Sequence, residues 1–217
     1  MSEKAKKKPI IITILGDEGV GKHSFLNNVT QLKNKENGNI GLEIINYNFV
    51  GKENEKSLNF SVEFRVIASQ ERNKLITKVV YENTNGFIII YDITDFESFD
   101  NINLWINNIN NYSNKKEYFK LYIGNKNDLV KTIKYNKIKD IDGKYNSFYE
   151  VDSLHESKKC KEIIYNFLKK VYYNFENKGI DHYQINKIES MNTRSETINE
   201  DKERILNCHC SQFCNLF

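Results

Sequence analysis

Short apolar runs and helical stripes alternate along this chain. Ile10 to Leu15 is a compact apolar run that stops at Gly16, the pattern of a buried strand. After Lys22, Phe25, Leu26 and Val29 fall on one face of a helix. Leu42 to Val50 and Leu58 to Ala68 read as strands joined by a turn at G-K-E-N-E-K. In the second, Leu58, Phe60, Val62, Phe64 and Val66 face one way, while Asn59, Ser61, Glu63 and Arg65 face the other. A helical segment, Lys74 to Asn83, precedes Gly86 and the continuous run F-I-I-I-Y, suited to a central parallel strand. Ser98 to Tyr112 predicts a helix with Phe99, Ile102, Trp105, Ile106 and Ile109 at helical spacing, so Trp105 is expected to face the core. Phe119 to Ile123 and Ser147 to Val151 read as further strands. A weak helix is expected over Tyr135 to Ile141, and a strong one over Lys159 to Tyr173. Strands alternating with helices predict an α/β fold: a mostly parallel sheet covered on both faces, with ligands at the carboxyl ends of its strands.

The chemistry concentrates after the first run, in I-I-I-T-I-L-G-D-E-G-V-G-K-H-S-F-L-N-N. Glycines at 16, 19 and 21 allow a tight loop whose backbone N–H groups point inward, and the following helix adds partial positive charge at its N-terminus. Strand, glycine loop and helix together form an anion cradle. Gly16-x-x-x-x-Gly21-Lys22 fits the phosphate-binding P-loop except at the last position, where His23 replaces the expected Ser or Thr.

Composition changes this picture little. A chain of 217 residues, 39% hydrophobic and 12% aromatic, can build one globular domain plus a tail. Net charge of +3 with mixed signs commits it to no nucleic acid. No run approaches the roughly 18 apolar residues of a membrane span. Lys4 to Lys8 lead into an apolar run too short for a signal peptide. Three of the four cysteines crowd the C-terminus, which is no disulfide framework, so a cytosolic protein is expected. Residues 1–9 read as a basic disordered arm, 10–175 as the folded domain, and 176–217 as a flexible tail short of apolar residues until Ile205.

Three segments together resemble the Rab branch of the Ras-like small GTPases: G-D-E-G-V-G-K, N-G-F-I-I-I-Y-D-I-T-D-F-E-S-F-D-N-I-N-L-W, and G-N-K-N-D-L. The middle one carries the most weight, because Y-D-I-T with S-F and a following W is similar to the Rab pattern specifically. The resemblance spans roughly Ile10 to Tyr173. It implies a P-loop NTPase G-domain fold and a site for GTP or GDP. By that resemblance the nucleotide contacts fall on Gly16, Asp17, Glu18, Gly19, Val20, Gly21, Lys22, His23 and Ser24, with Asn125, Lys126, Asp128, Ser153 and Leu154 around the base. Lys22 would bridge the terminal phosphates. Asp128 would accept two N–H donors from guanine, a pair that adenine lacks. Lys126 would lay its stem beside the base, and Gln70 matches the residue that orients attacking water.

The departures gather at the metal and the terminal phosphate. His23 stands where the family has the hydroxyl that ligates Mg²⁺, and imidazole is a bulky, poor substitute for a hard oxygen. Ser24 cannot step in, since one helical residue turns a side chain by about 100°. V-I-A-S-Q-E replaces D-T-A-G-Q-E, so Val66 stands for an aspartate and Ser69 for a glycine. Asn39 replaces a threonine in the first switch. The family's metal positions thus fall on His23, Asn39 and Val66, which puts Mg²⁺ in doubt and assigns no metal ligand. Glu18 sits where only small residues are usual; a carboxylate about 4 Å from a phosphate oxygen meets roughly 4 kcal/mol of repulsion at an effective dielectric of about 20. D-S-L at Asp152 to Leu154 replaces S-A-K, and Ile44 and Arg65 replace aromatics on the effector face.

The last four residues, C-N-L-F, match a prenylation box at Cys214, with Phe217 pointing to geranylgeranyl. Cys208 and Cys210 lie close enough to add palmitate as a second anchor. A zinc knuckle is the competing reading of C-H-C-S-Q-F-C, but no second ligand pair follows at a usual spacing. The resemblance implies a monomer on the cytoplasmic face of an endomembrane, exchanging with cytosol and meeting protein effectors and regulators in vesicle trafficking. Two functions are carried forward: a working but slow GTP/GDP switch, and a membrane-tethered adaptor on a G-domain whose switch is frozen.

Overall fold

A computed structural model of the chain describes residues 8–32, 41–53, 56–67, 74–113, 118–130 and 146–176. Residues 1–7 of the basic arm, Asn39, Ser69, Gln70, the helix expected over Tyr135 to Ile141 and the cysteine tail lie outside these residues. Six strands, β1 (Ile10–Leu15), β2 (Leu42–Glu53), β3 (Lys56–Ile67), β4 (Gly86–Asp92), β5 (Phe119–Asn125) and β6 (Asn146–Glu150), form one sheet. Its order is β2-β3-β1-β4-β5-β6, with β2 antiparallel to β3 and every other pairing parallel. The helices are α1 (Lys22–Thr30), α2 (Lys74–Glu82), α3 (Phe96–Asp100), α4 (Ile102–Tyr112) and α5 (Ser157–Glu176). Contacts divide the chain after Tyr173, within α5.

The alternation in the sequence decides which layer each side chain joins. Ile12 and Ile14 of β1 pack with Phe25, Leu26 and Val29 of α1, the β3 series Phe60, Val62, Phe64 and Val66, and Ile164, Phe167 and Leu168 of α5. Leu15 turns to the opposite face, where Phe87, Ile89 and Tyr91 of β4 meet Tyr81 of α2 and Ile102 and Ile109 of α4. Full burial of such side chains contributes about 1.5–3 kcal/mol each, which makes both layers the source of the fold's stability. Thr13 interrupts the apolar run without penalty, because its hydroxyl pairs with that of Thr84 at 2.6 Å. Cys160 is fully buried in the first layer, and burial pushes its thiol up to about 11, so it packs as a small apolar residue.

Three expectations change in detail. The hairpin is longer than the apolar pattern suggested: β2 and β3 stay paired to Glu53 and Lys56, so only residues 54–55 remain between them. Cross-strand hydrogen bonding carries polar residues that periodicity assigned to a turn. The Ser98–Tyr112 helix starts earlier, at Phe96, because Asp95 accepts the Glu97 N–H as an N-cap, and Asn101 then divides it into α3 and α4. Trp105 is half-buried rather than a plain core residue. Its ring packs against the second layer while its indole N–H leaves for a polar partner described below.

Candidate functional site

β1 lies between β3 and β4, the switch point of the strand order, and a parallel sheet of this kind takes its ligand at the carboxyl ends of the strands there. The segments after β1, β4, β5 and β6 all reach that edge.

After β1, the loop Gly16–Gly21 folds tightly against its neighbours. A Cβ at Gly16 would stand 2.1 Å from the Ile90 carbonyl oxygen, and one at Gly21 only 2.2 Å from Asn125 Nδ2. Both have positive φ, 140° and 95°, so glycine is required by space and by backbone alike. Gly21 also caps α1 and supplies no side-chain acceptor to its first turn, leaving that helix end suited to an anion. Lys22 is buried and its ammonium donates to the carbonyls of Gly16, at 2.8 Å, and Asp17, at 2.6 Å. The ammonium therefore stands over the loop. Glu18 and Gly19 are exposed at its crest, whereas Val20 is buried beneath it.

Asp17 fixes this loop from the other side. Its carboxylate accepts from Asn101 Nδ2 at 2.6 Å and from the Trp105 indole at 3.2 Å. Neither contact follows from the sequence, because helical spacing reports which face Trp105 occupies but not where its N–H points.

After β5, Asn125 is buried to 2% exposure and uses both ends of its amide. It donates to the Val20 carbonyl at 2.8 Å and accepts from the Ser153 N–H at 3.1 Å. The glycine loop, the β5 end and the β6 loop are thereby held at one corner. Lys126 takes a left-handed backbone (φ 66°), and its ammonium pairs with Asp92 at 2.6 Å. Burial pushes the Asp92 carboxyl up, but the Lys126 ammonium and the Thr94 N–H and hydroxyl outweigh it, and Asp92 sits below its usual value. Asp128 is exposed at the rim.

After β6, Asp152 accepts from the N–H groups of Leu154 and His155 and from the His155 ring, while Glu156 accepts from the Asp152 N–H. This reciprocal capping shapes the turn into α5. Asn28, at the end of α1, donates to the Ser153 carbonyl and accepts from the Ser157 hydroxyl. Ser153 is thus a buried backbone junction, and Leu154 is 66% exposed.

On the metal side, His23 follows Lys22 in the first turn of α1, and Ser24 is half-buried beside it. His23 Nε2 meets Glu43 Oε2 of β2 at 2.6 Å. Val66, at the end of β3, is 2% exposed within the apolar layer and offers no oxygen. Mg²⁺ prefers an octahedral set of hard oxygens. The described residues at these family positions, an imidazole already bonded and a buried valine, do not fit it. Among the described residues no group of three His, Cys, Asp or Glu side chains could hold a metal ion. Of the residues singled out in the sequence, the structure joins 16–24, 125, 126, 128, 153 and 154 at one edge of the sheet. Glu43, Asp92, Asn101 and His155 are the polar partners that sequence reasoning missed.

Comparison with known proteins agrees with this geometry. The Ras family model matches residues 11–173. The Ras-related protein RABD1 of Arabidopsis thaliana is 46% identical over 65 residues, 30% of this chain and 31% of the relative. RabT1 of Dictyostelium discoideum is 35% identical over 133 residues, 59% of this chain and 57% of the relative. A probable Rab-related GTPase of Acanthamoeba polyphaga mimivirus is 31% identical over 168 residues, 71% of this chain and 75% of the relative. The matched stretch thus spans about a third to three-fifths of the first two relatives' length and three-quarters of the third. With a G-domain topology and a family match over nearly the whole described region, the chain belongs to the Ras family and is a Rab-like small GTPase of that superfamily.

Proposed function

We propose that the chain is a Rab-like guanine-nucleotide-binding protein of membrane trafficking, taking GTP or GDP at the edge formed by residues 16–24, 125–128 and 153–154. The observation that carries this reading is the convergence at one edge of Lys22, the α1 N-terminus and the exposed Asp128, a corner that Asn125 holds together through Val20 and Ser153. A nucleotide laid across that corner meets Lys22 and the α1 N-terminus with its phosphates and Asp128 with its base edge. Asp128 then selects guanine, because its carboxylate needs two N–H donors.

Turnover is slow in this reading. Gln70 remains to orient water, but the metal that would stabilise developing charge has lost its oxygen ligands. The membrane role rests on Cys214 as a prenyl acceptor, with Cys208 or Cys210 acylated, placing a monomer on the cytoplasmic face of an endomembrane where it meets effectors and regulators. No described helix is long and apolar enough to cross a membrane, so a lipid is the anchor proposed.

A second reading, a membrane-tethered adaptor with a frozen switch, is favoured by the His23–Glu43 contact, which ties α1 to β2 directly. Titrating the full chain with labelled GDP, GTP and ATP separates the readings. Guanine-selective binding with a measurable turnover supports the switch, guanine binding without turnover supports the adaptor, and equal affinity for ATP overturns the guanine assignment.

A further inference from the structure

The carboxylate absent at Val66 has a counterpart one strand away. In the β2–β3 ladder Glu43 is the direct partner of Val66. Residues directly opposite in an antiparallel pair project from the same face of the sheet. That face is the one covered by α1, as the packing of Val66 with Phe25 and Leu26 shows. A carboxylate on β2 therefore stands over the end of β3, and His23 in the first turn of α1 reaches it at 2.6 Å. Both side chains are about three-quarters shielded, with exposures of 24% and 27%.

We infer that this pair closes the metal position, and that the ligand of the site is guanosine diphosphate free of a divalent ion. The inference rests on the guanine-nucleotide reading above and names the form of nucleotide that the site takes. Three features support it. The imidazole nitrogen that faces β2 is engaged with Glu43, and so is the carboxylate oxygen opposite it, so the two groups satisfy each other. Their contact also joins α1 to the start of β2, a bridge that needs no ion. Finally, the groups left to meet phosphate are Lys22, the loop N–H groups and the α1 N-terminus, worth about one full and one half positive charge. That set offsets about half of the negative charge of a nucleoside diphosphate. A third phosphate adds negative charge with no divalent ion to offset it, beside the exposed Glu18.

Equilibrium binding of labelled GDP and GTP to the full wild-type chain, with Mg²⁺ and with excess chelator, tests this. The expected result is a GDP affinity that changes by less than about threefold on chelation and exceeds that for GTP by about tenfold or more, a difference well outside titration error. His23→Ser with Val66→Asp restores the two oxygen donors and should make GDP binding tighten with Mg²⁺ by about tenfold. The wild-type comparison decides the matter even if the double variant fails to fold. Loss of GDP on chelation, or GTP bound as tightly as GDP, overturns the inference while leaving guanine binding intact. Absence of any nucleotide binding under both conditions overturns the nucleotide reading along with it.

Discussion

The carboxylate of Asp17 accepts the indole N–H of Trp105 at 3.2 Å, joining the glycine loop after β1 to α4. Asp17 also offers its carbonyl to Lys22, so the same residue feels the loop's ammonium and the tryptophan.

This makes Trp105, the only tryptophan in the chain, a reporter of the loop. A phosphate that draws Lys22 away from the Asp17 carbonyl should move the loop and, through Asp17, alter the indole environment. Tryptophan emission should therefore change on saturation with GDP. The same titration on Asp17→Ala, which removes the acceptor, should show a smaller response. An Asn101→Ala substitution should weaken GDP several-fold, since a partly exposed hydrogen bond to a charged group contributes on the order of 1 kcal/mol. An emission spectrum indifferent to GDP in the wild type would break the proposed link.

Base selection is tested at the rim. Asp128→Asn replaces a double acceptor with a group that also donates, so preference should move from guanine toward xanthine, whose matching position is an acceptor. Competition of labelled GDP with XDP reads this directly. Unaltered preference in the variant means the base does not contact Asp128.

Hydrolysis should be very slow. Single-turnover measurement on GTP-loaded protein, beside an ordinary Rab protein under the same conditions, gives the comparison. Equal rates in the two would refute it.

The Asp152–His155 pair predicts a pH signature in the turn that leads into α5. The hydrogen bond that His155 donates to Asp152, and the charge of that carboxylate, raise the His155 pKa above 6.5. Burial pushes the Asp152 carboxyl up, but the His155 ring and the N–H groups of Leu154 and His155 outweigh it and hold the carboxyl below 3.8. The pair's stabilisation is thus complete below the usual histidine value and is lost as pH rises through the raised one. At the acid end it is lost as pH falls from 3.8 through the lowered carboxyl value. An NMR titration of the His155 ring should show the raised midpoint, and Asp152→Asn should return it to the ordinary value. A midpoint that the substitution leaves in place would exclude the contact in solution.

The lipid proposal has its own test, independent of the nucleotide. Cys214→Ser should release the protein to the cytosol, because a single acyl group elsewhere in the tail gives only marginal residence. Cys208→Ser with Cys210→Ser should weaken attachment without abolishing it. Fractionation of cells expressing each variant measures both, and a Cys214→Ser protein that stays fully membrane-bound rules out prenyl anchoring there.

How much of this was legible beforehand differs between layers and contacts. The alternation of β3 and the stripe of α1 name their buried residues correctly, because burial repeats with the backbone's own period. The tight loop was legible too, since at Gly16 and Gly21 a Cβ would run into Ile90 and Asn125. Hydrogen-bond partners were not. Glu43 is an unremarkable acid in a strand until the register sets it opposite Val66 and beside His23. Trp105 shows the same limit. Its spacing marks a helix face, yet a half-buried indole must find an acceptor, and the acceptor lies 88 residues away.

Asn125 carries one further consequence, which concerns inheritance. Its amide is spent on Val20 and Ser153, within the protein itself, so folding alone is enough to keep this asparagine in place. Lys126 is held in the same way by Asp92. A descendant that abandoned nucleotide altogether would still be selected to keep both residues, and its sequence would go on advertising a guanine site. Asp128, exposed at the rim, is the member of the motif under the least structural obligation. Across relatives of this chain, its loss or retention is the more faithful record of whether a base is still being read.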